Sequence, residues 1–247
     1  MVSRRELKQA ARHKLRGHWG QAISLNIIQI ILAIIASIGF AFIGGVIFGA
    51  LIYLFFHPDL TSYHYNNLGF LSHNNIVAGF NNNILNFIIT MLVEFVAIGA
   101  LFTMLDWFRT DNANFSATQG MFSIYTKKYF LATLCLYLIM YIFLSLWSIL
   151  LLFPAIIKHY SYAQTYFIYK DELSAHPDDR PSYLNCITQS RELMDGHKTQ
   201  LFLLDLSFIG WGILGIITCG IACIWIIPYY KACQVNFYRS LRGETLT

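Results

Sequence analysis

The sequence predicts an all-α, polytopic membrane protein: a basic amphipathic N-terminal helix followed by about six transmembrane helices, arranged in hairpins. Two observations carry this. The chain is 56% hydrophobic and 12% charged, with a mean hydropathy of +0.52. Soluble domains are about 45–50% apolar and about 25% charged, so a water-facing surface could not be built from this composition. The second observation is order along the chain. Ala22–Phe56 holds no charged side chain, and further apolar runs lie near Ile84–Leu105, Tyr129–Ile157 and Leu201–Tyr230. The stretch 57–83 between the first two runs contains His57, His64 and His73 but no Lys or Arg. Lys and Arg crowd onto the other set of connections, the pattern of a bilayer protein with a fixed orientation.

The elements follow in order. Ser3-Arg4-Arg5-Glu6 has the form of a capping box, which opens a helix. Leu7, Ala11, Leu15 and Trp19 recur every fourth residue, and Arg4, Arg5, Lys8, Arg12, Lys14 and Arg16 fill much of the remaining surface. Residues 1–20 therefore read as an interfacial helix suited to the anionic lipids of the cytoplasmic leaflet. The apolar run that follows is too long for a cleavable signal, and it is expected to stay as an anchor. Gly17 turns the chain into Ala22–Phe56. As one helix that run would measure ~50 Å against a ~30 Å hydrocarbon core. It must tilt, project outward, or break near Gly44-Gly45. Ala41, Gly45 and Gly49 form a row of small residues, open to packing within the chain or against a second copy.

Residues 21–247 form one transmembrane bundle, with an outer loop at 57–83 and cytoplasmic loops at 109–128 and 171–198. The second span starts near Ile84. The segment from Tyr129 to Tyr169 is long enough for a hairpin broken near Trp147-Ser148, which places Pro154 early in the fourth span, where its missing N–H does little harm. Span five covers about Thr199–Thr218, and a tight turn at Cys219-Gly220 leads to span six. With both termini in the cytoplasm, every Lys and Arg except Lys158 lies in a cytoplasmic segment or the inner half of a span. A five-span chain would put the loop at 171–198 outside, so charge favours six. Cys135, Cys186, Cys219, Cys223 and Cys233 form no C-x-x-C and read as packing residues.

Part of the sequence echoes itself. Arg12…Leu15-Arg16-Gly17-His18…Gln21…Leu25-Asn26 returns as Arg191…Met194-Asp195-Gly196-His197…Gln200…Leu204-Asp205. Each copy is a polar helix, a Gly-His break and the start of a span. Pro154 with Lys158 and Pro228 with Lys231 make a second echo. These motifs, with Leu151–Lys158, Tyr160–Asp171, Leu206–Trp211 and Trp225–Tyr230, resemble the bacterial domain-of-unknown-function family 975 across most of the chain outside the 57–83 loop. The resemblance implies an integral membrane protein, chiefly of Gram-positive bacteria, without an established activity.

Candidate functional residues are the polar groups placed inside the spans. Glu94 and Lys158 lie at similar depth, as do Asp205 and Lys231, so the expected pairs are Glu94–Lys158 and Asp205–Lys231. Such charges cost ~2.5–3.5 kcal/mol each and usually face a bundle interior. They fix helix register, form a site for an ion, proton or headgroup, or, for Lys158 and Lys231, snorkel and pair with nothing. Tyr162 and Gln164, with Tyr160, Tyr166 and Tyr169, make the fourth span polar: a wet cavity wall or an aromatic belt. His57, His64 and His73 match no ligand spacing. No H-E-x-x-H, G-x-S-x-G or P-loop is present, so neither catalysis nor a cofactor or metal is expected, and no nucleic-acid module is found. The expected function is binding or scaffolding of lipids or partner proteins, a second copy included. The alternative is a small transporter or permease-like subunit using Glu94 and Asp205.

Overall fold

The computed structural model describes residues 2–56, 73–110, 114–126, 128–150, 152–176 and 180–246. Every regular element among them is helical: α1 (Arg4–Leu15), α2 (Trp19–Leu25), α3 (Ile27–Phe56), α4 (His73–Thr110), α5 (Ala117–Met121), α6 (Phe130–Leu150), α7 (Leu152–Tyr162), α8 (Thr165–Ala175), α9 (Tyr183–Leu193), α10 (Lys198–Ile217) and α11 (Cys223–Leu241). His57 and His64 lie outside the described residues. The sequence reads 73–83 as loop, but the backbone is already helical from His73.

Among the described residues, three helical segments are long and apolar enough to cross a membrane: Phe87–Thr110, Phe130–Ser148 and Lys198–Ile217. A fourth arises if α2 and the first part of α3, bent by 70°, count as one span. The expected six are not reached, for two reasons. The predicted fourth span splits at Ala163-Gln164 into α7 and α8. The predicted sixth, α11, carries Lys231 and Arg239 among other polar residues. Pro154 does fall in the first turn of α7, as expected.

α4 is the central element. Half of its span window is buried, against 22% for the windows of α6 and α10. α5 lies so close to α4 that a Cβ on Gly99 would sit 2.2 Å from the Met121 carbonyl oxygen. The outer helices present large apolar side chains outward, including Phe42, Ile142, Ile209 and Ile217. That surface matches a hydrocarbon surrounding and would be costly in water.

α1 starts at its capping box: the Ser3 Oγ accepts from the Glu6 N–H at 3.2 Å, and the Glu6 carboxylate accepts from the Ser3 N–H at 2.7 Å. Its apolar face, Leu7, Ala11 and Leu15, is buried in the protein, where α1 packs on α11. The stripe expected to rest on lipid is therefore taken up by the last helix. Gly17, at φ +88°, ends the helix in the left-handed region.

The break in Ala22–Phe56 falls at Asn26, not at Gly44-Gly45, and α3 runs unbroken through both glycines. Asn26 is buried, and its amide donates to the Ala22 carbonyl at 2.8 Å. A Cβ on Gly45 would meet nothing within 4 Å among the described residues, so none of these packs at that point of the small-residue row. All five cysteines are free thiols, with Cys186 and Cys233 buried.

Candidate functional site

Among the described residues, two grooves and one side-opening cavity collect most of the polar side chains singled out in the sequence. The first groove runs between α1 and α10 and encloses about 410 Å³. Arg4, Arg5, Lys8, Gln9 and Arg12 line it from α1, and Ser207 from α10, with no acidic side chain among them. Successive turns of one helix deliver these cations to one side, because residues three or four apart share a face.

Three of them are anchored by neutral or aromatic partners. Arg4 donates to the Leu203 carbonyl at 3.5 Å. The Lys8 ammonium sits 4.6 Å from the Phe208 ring centroid. The Arg12 Nε donates to the Tyr229 hydroxyl at 3.1 Å. Burial pulls the Lys8 ammonium below its ordinary range, and the charges of Arg12 and Arg4 act in the same direction. Lys14 and Arg16, expected on the same surface, do not line the groove. Beside it, α10 exposes Phe202, Leu206, Ile209 and Ile213.

The second groove, of about 300 Å³, is lined by Lys158, Ser161, Thr188, Arg191, Glu192, Asp195 and Lys198. Here cations and acids are mixed, and Lys198 pairs with Asp195 at 3.6 Å. Lys158 lies 4.9 Å from the Trp147 ring centroid.

The cavity, of about 350 Å³, lies between α4, α6, α7, α8 and α11. Glu94, Tyr162 and Lys231 line it. The expected pairs do not form. Glu94 shares this cavity with Lys231, not Lys158, without touching it, and Asp205 accepts from the Tyr230 hydroxyl at 2.9 Å with Tyr160 beside the same carboxylate. Asp205 and Lys158 are not among the cavity's residues. Gln164 does not line the cavity either. Its backbone N–H donates to the Ser190 Oγ at 3.2 Å, and that hydroxyl donates to the Ser161 carbonyl at 2.9 Å.

Sequence reasoning missed a clamp at the end of α4. Arg109 makes a bidentate pair with Asp171 of α8 at 2.6 and 3.0 Å and also donates to Glu244 beyond α11 at 2.6 Å. The Tyr238 hydroxyl donates to the same Asp171 carboxylate at 2.5 Å, and Arg239 holds Glu244 at 2.9 Å. Nearby, Lys170 donates to the Phe102 carbonyl and pairs with Asp106. Burial alone would raise the Asp171 carboxyl, but the hydrogen bonds from Arg109 and Tyr238 hold it below its ordinary value. Glu244 is likewise held down, against burial, by Arg109 and Arg239. Three sequence-remote pieces meet here, and no local motif marks the meeting.

The sequence model described as a protein of unknown function, DUF975, matches residues 1–176 and 149–245. The chain belongs to the DUF975 family. The resemblance read from the sequence is thereby confirmed along nearly the whole chain. No curated protein and no solved structure matches this DUF975 chain, so the reading of its site rests on its own residues.

Proposed function

We propose that this DUF975 protein is a multi-pass membrane protein that binds anionic phospholipid headgroups in the groove between α1 and α10. One observation carries the reading: four cationic side chains line a single groove that holds no acid and borders an outward-facing apolar strip. A phosphate placed there would meet charge-assisted donors from Arg4, Arg5, Lys8 and Arg12. Its acyl chains would run along Phe202, Leu206, Ile209 and Ile213. The same proposal puts the cationic end on the cytoplasmic side of the cell membrane, with both termini there, and leaves room for six crossings if the shorter helices dip into the bilayer. Transport through Glu94 and Asp205 has less support, because the two acids do not share a cavity.

The test uses the full chain in detergent, with phosphatidylglycerol and phosphatidylcholine added separately. Phosphatidylglycerol is expected to raise the melting temperature by several degrees more than phosphatidylcholine. The increment should shrink with salt, because exposed charge interactions are screened, and should vanish in the triple variant R4Q/K8Q/R12Q. Equal stabilisation of the variant and the unaltered protein by phosphatidylglycerol would overturn the proposal.

A further inference from the structure

The cavity between α4 and α11 holds two opposite charges that do not meet. Glu94 and Lys231 line the same cavity, and the Glu94 charge acts on Lys231, yet no ion pair within 4 Å and no hydrogen bond joins them. Neither side chain has a hydrogen-bond partner elsewhere among the described residues. With α4 taken as a bilayer-crossing helix, this leaves a carboxylate and an ammonium without a partner in a low dielectric, an arrangement that is costly and that usually marks a functional site. The arrangement contrasts with the clamp at Arg109, where every charge is in direct contact with its partner.

The cavity they line, at about 350 Å³, is large enough for a ligand, since small-molecule sites begin at about 300 Å³. Its walls have matching chemistry. Tyr137 and Tyr166 lie close enough to Glu94 to sense its charge. Tyr137 stacks on Tyr141 with ring centroids 6.3 Å apart. Phenol rings around a carboxylate suit an ammonium ion, which gains from the ring faces as well as from the charge. His159 and Gln234 add polar atoms to the wall, while Ile98, Leu101, Met140 and Leu144 give it an apolar floor. Glu94, Tyr141 and His159 are exposed, so the cavity opens at the side of the bundle.

We propose that this cavity binds a small zwitterion of the phosphoethanolamine type, its ammonium on Glu94 among the tyrosine rings and its anionic group on Lys231. The ligand bridges the gap that the protein's own charges leave open. Two sources carry this chemistry: the headgroup of phosphatidylethanolamine entering from the side, and the water-soluble glycerophosphoethanolamine.

The experiment is native mass spectrometry and thermal shift on the full chain in detergent, with phosphatidylethanolamine, phosphatidylglycerol, glycerophosphoethanolamine and glycerophosphoglycerol as probes. The unaltered protein is expected to prefer each ethanolamine probe over its glycerol counterpart about tenfold. Glu94→Gln and Lys231→Met should each remove that preference, whereas R4Q/K8Q/R12Q should leave it intact. Binding of phosphatidylethanolamine without glycerophosphoethanolamine supports the site with a lipid as its occupant. Binding of both supports it with a soluble one. If either single variant fails to fold, competition in the unaltered protein decides: glycerophosphoethanolamine should displace phosphatidylethanolamine and glycerophosphoglycerol should not. No preference for ethanolamine over glycerol probes, or a preference untouched by both single variants, would overturn the proposal.

Discussion

The junction between α1 and α2 and the junction between α9 and α10 are built alike and charged differently. Gly17 and Gly196 both sit in the left-handed region, at φ +88° and +73°, each between an amphipathic helix and a more apolar one. The echo extends to burial. Leu7, Ala11 and Leu15 on α1 correspond to Cys186 and Ser190 on α9 and Met194 at its C-terminal cap, and all six are buried. Ala22 and Leu25 correspond to Leu201 and Leu204, also buried. The second junction, however, carries Glu192 and Asp195 in its groove, whereas the first has only cations. The backbone device is shared, and the unbalanced charge belongs to one copy. On the proposed reading, a ligand of opposite sign belongs at the first groove and not at the second.

The largest effect that could break this comparison is in the packing of α1. Leu15→Ala empties a fully buried position against the body of the protein, and such truncations cost about 2–5 kcal/mol. Denaturant unfolding in detergent should show a loss of that size. An unchanged midpoint would mean that α1 is not docked as its counterpart α9 is.

A smaller effect concerns the clamp that ties the two halves together. Asp171 belongs to α8, on which α9 packs, while Tyr238 and Arg239 belong to α11, on which α1 packs. Asp171→Asn removes the charge that Arg109 and Tyr238 share, for a loss of about 1.5–3 kcal/mol. The pH dependence has a definite sign. Asp171 and Glu244 titrate below their ordinary values in the folded protein. Their contribution is present above the unfolded values and is lost as pH falls through the folded ones. Melting temperature should drop below about pH 4, and less steeply in Asp171→Asn.

The smallest effect sharpens the likeness. A Cβ at Gly17 or Gly196 would meet nothing within 4 Å, so alanine there pays only for the left-handed backbone, about 1–2 kcal/mol. The two variants should lose the same stability in parallel melts. A clear inequality would show that only one junction relies on its turn.

What the sequence discloses of this fold is what is local. Ser3 and Glu6 bond each other within one turn, and a glycine followed by histidine can be read as a helix end wherever it occurs. The turn at Cys219-Gly220 is equally visible, and it appears with φ of 49° and 87°. Position along a helix was readable for the buried charges, but azimuth was not. Depth alone matched Glu94 with Lys158 and Asp205 with Lys231. Which face each helix turns inward decides the actual neighbours, and that depends on packing among five helices. The bend at Asn26 was missed because glycine was weighted as the helix breaker, whereas a buried amide bonding the Ala22 carbonyl marks the kink here. The basic groove was half visible: the cations were evident, but the surface opposite them, Ser207 and the apolar strip of α10, comes from the far end of the chain.

The docking of α1 on α11 has a consequence in time. Arg12 and its partner Tyr229 are separated by 217 positions. At about 5–20 residues per second, a ribosome needs roughly 10–40 s to bridge that distance. Throughout that interval the first helix has been made and its final seat has not. A cationic, amphipathic segment waiting beside a nascent chain can hold the emerging polypeptide at a negatively charged surface until the last helix arrives and withdraws it.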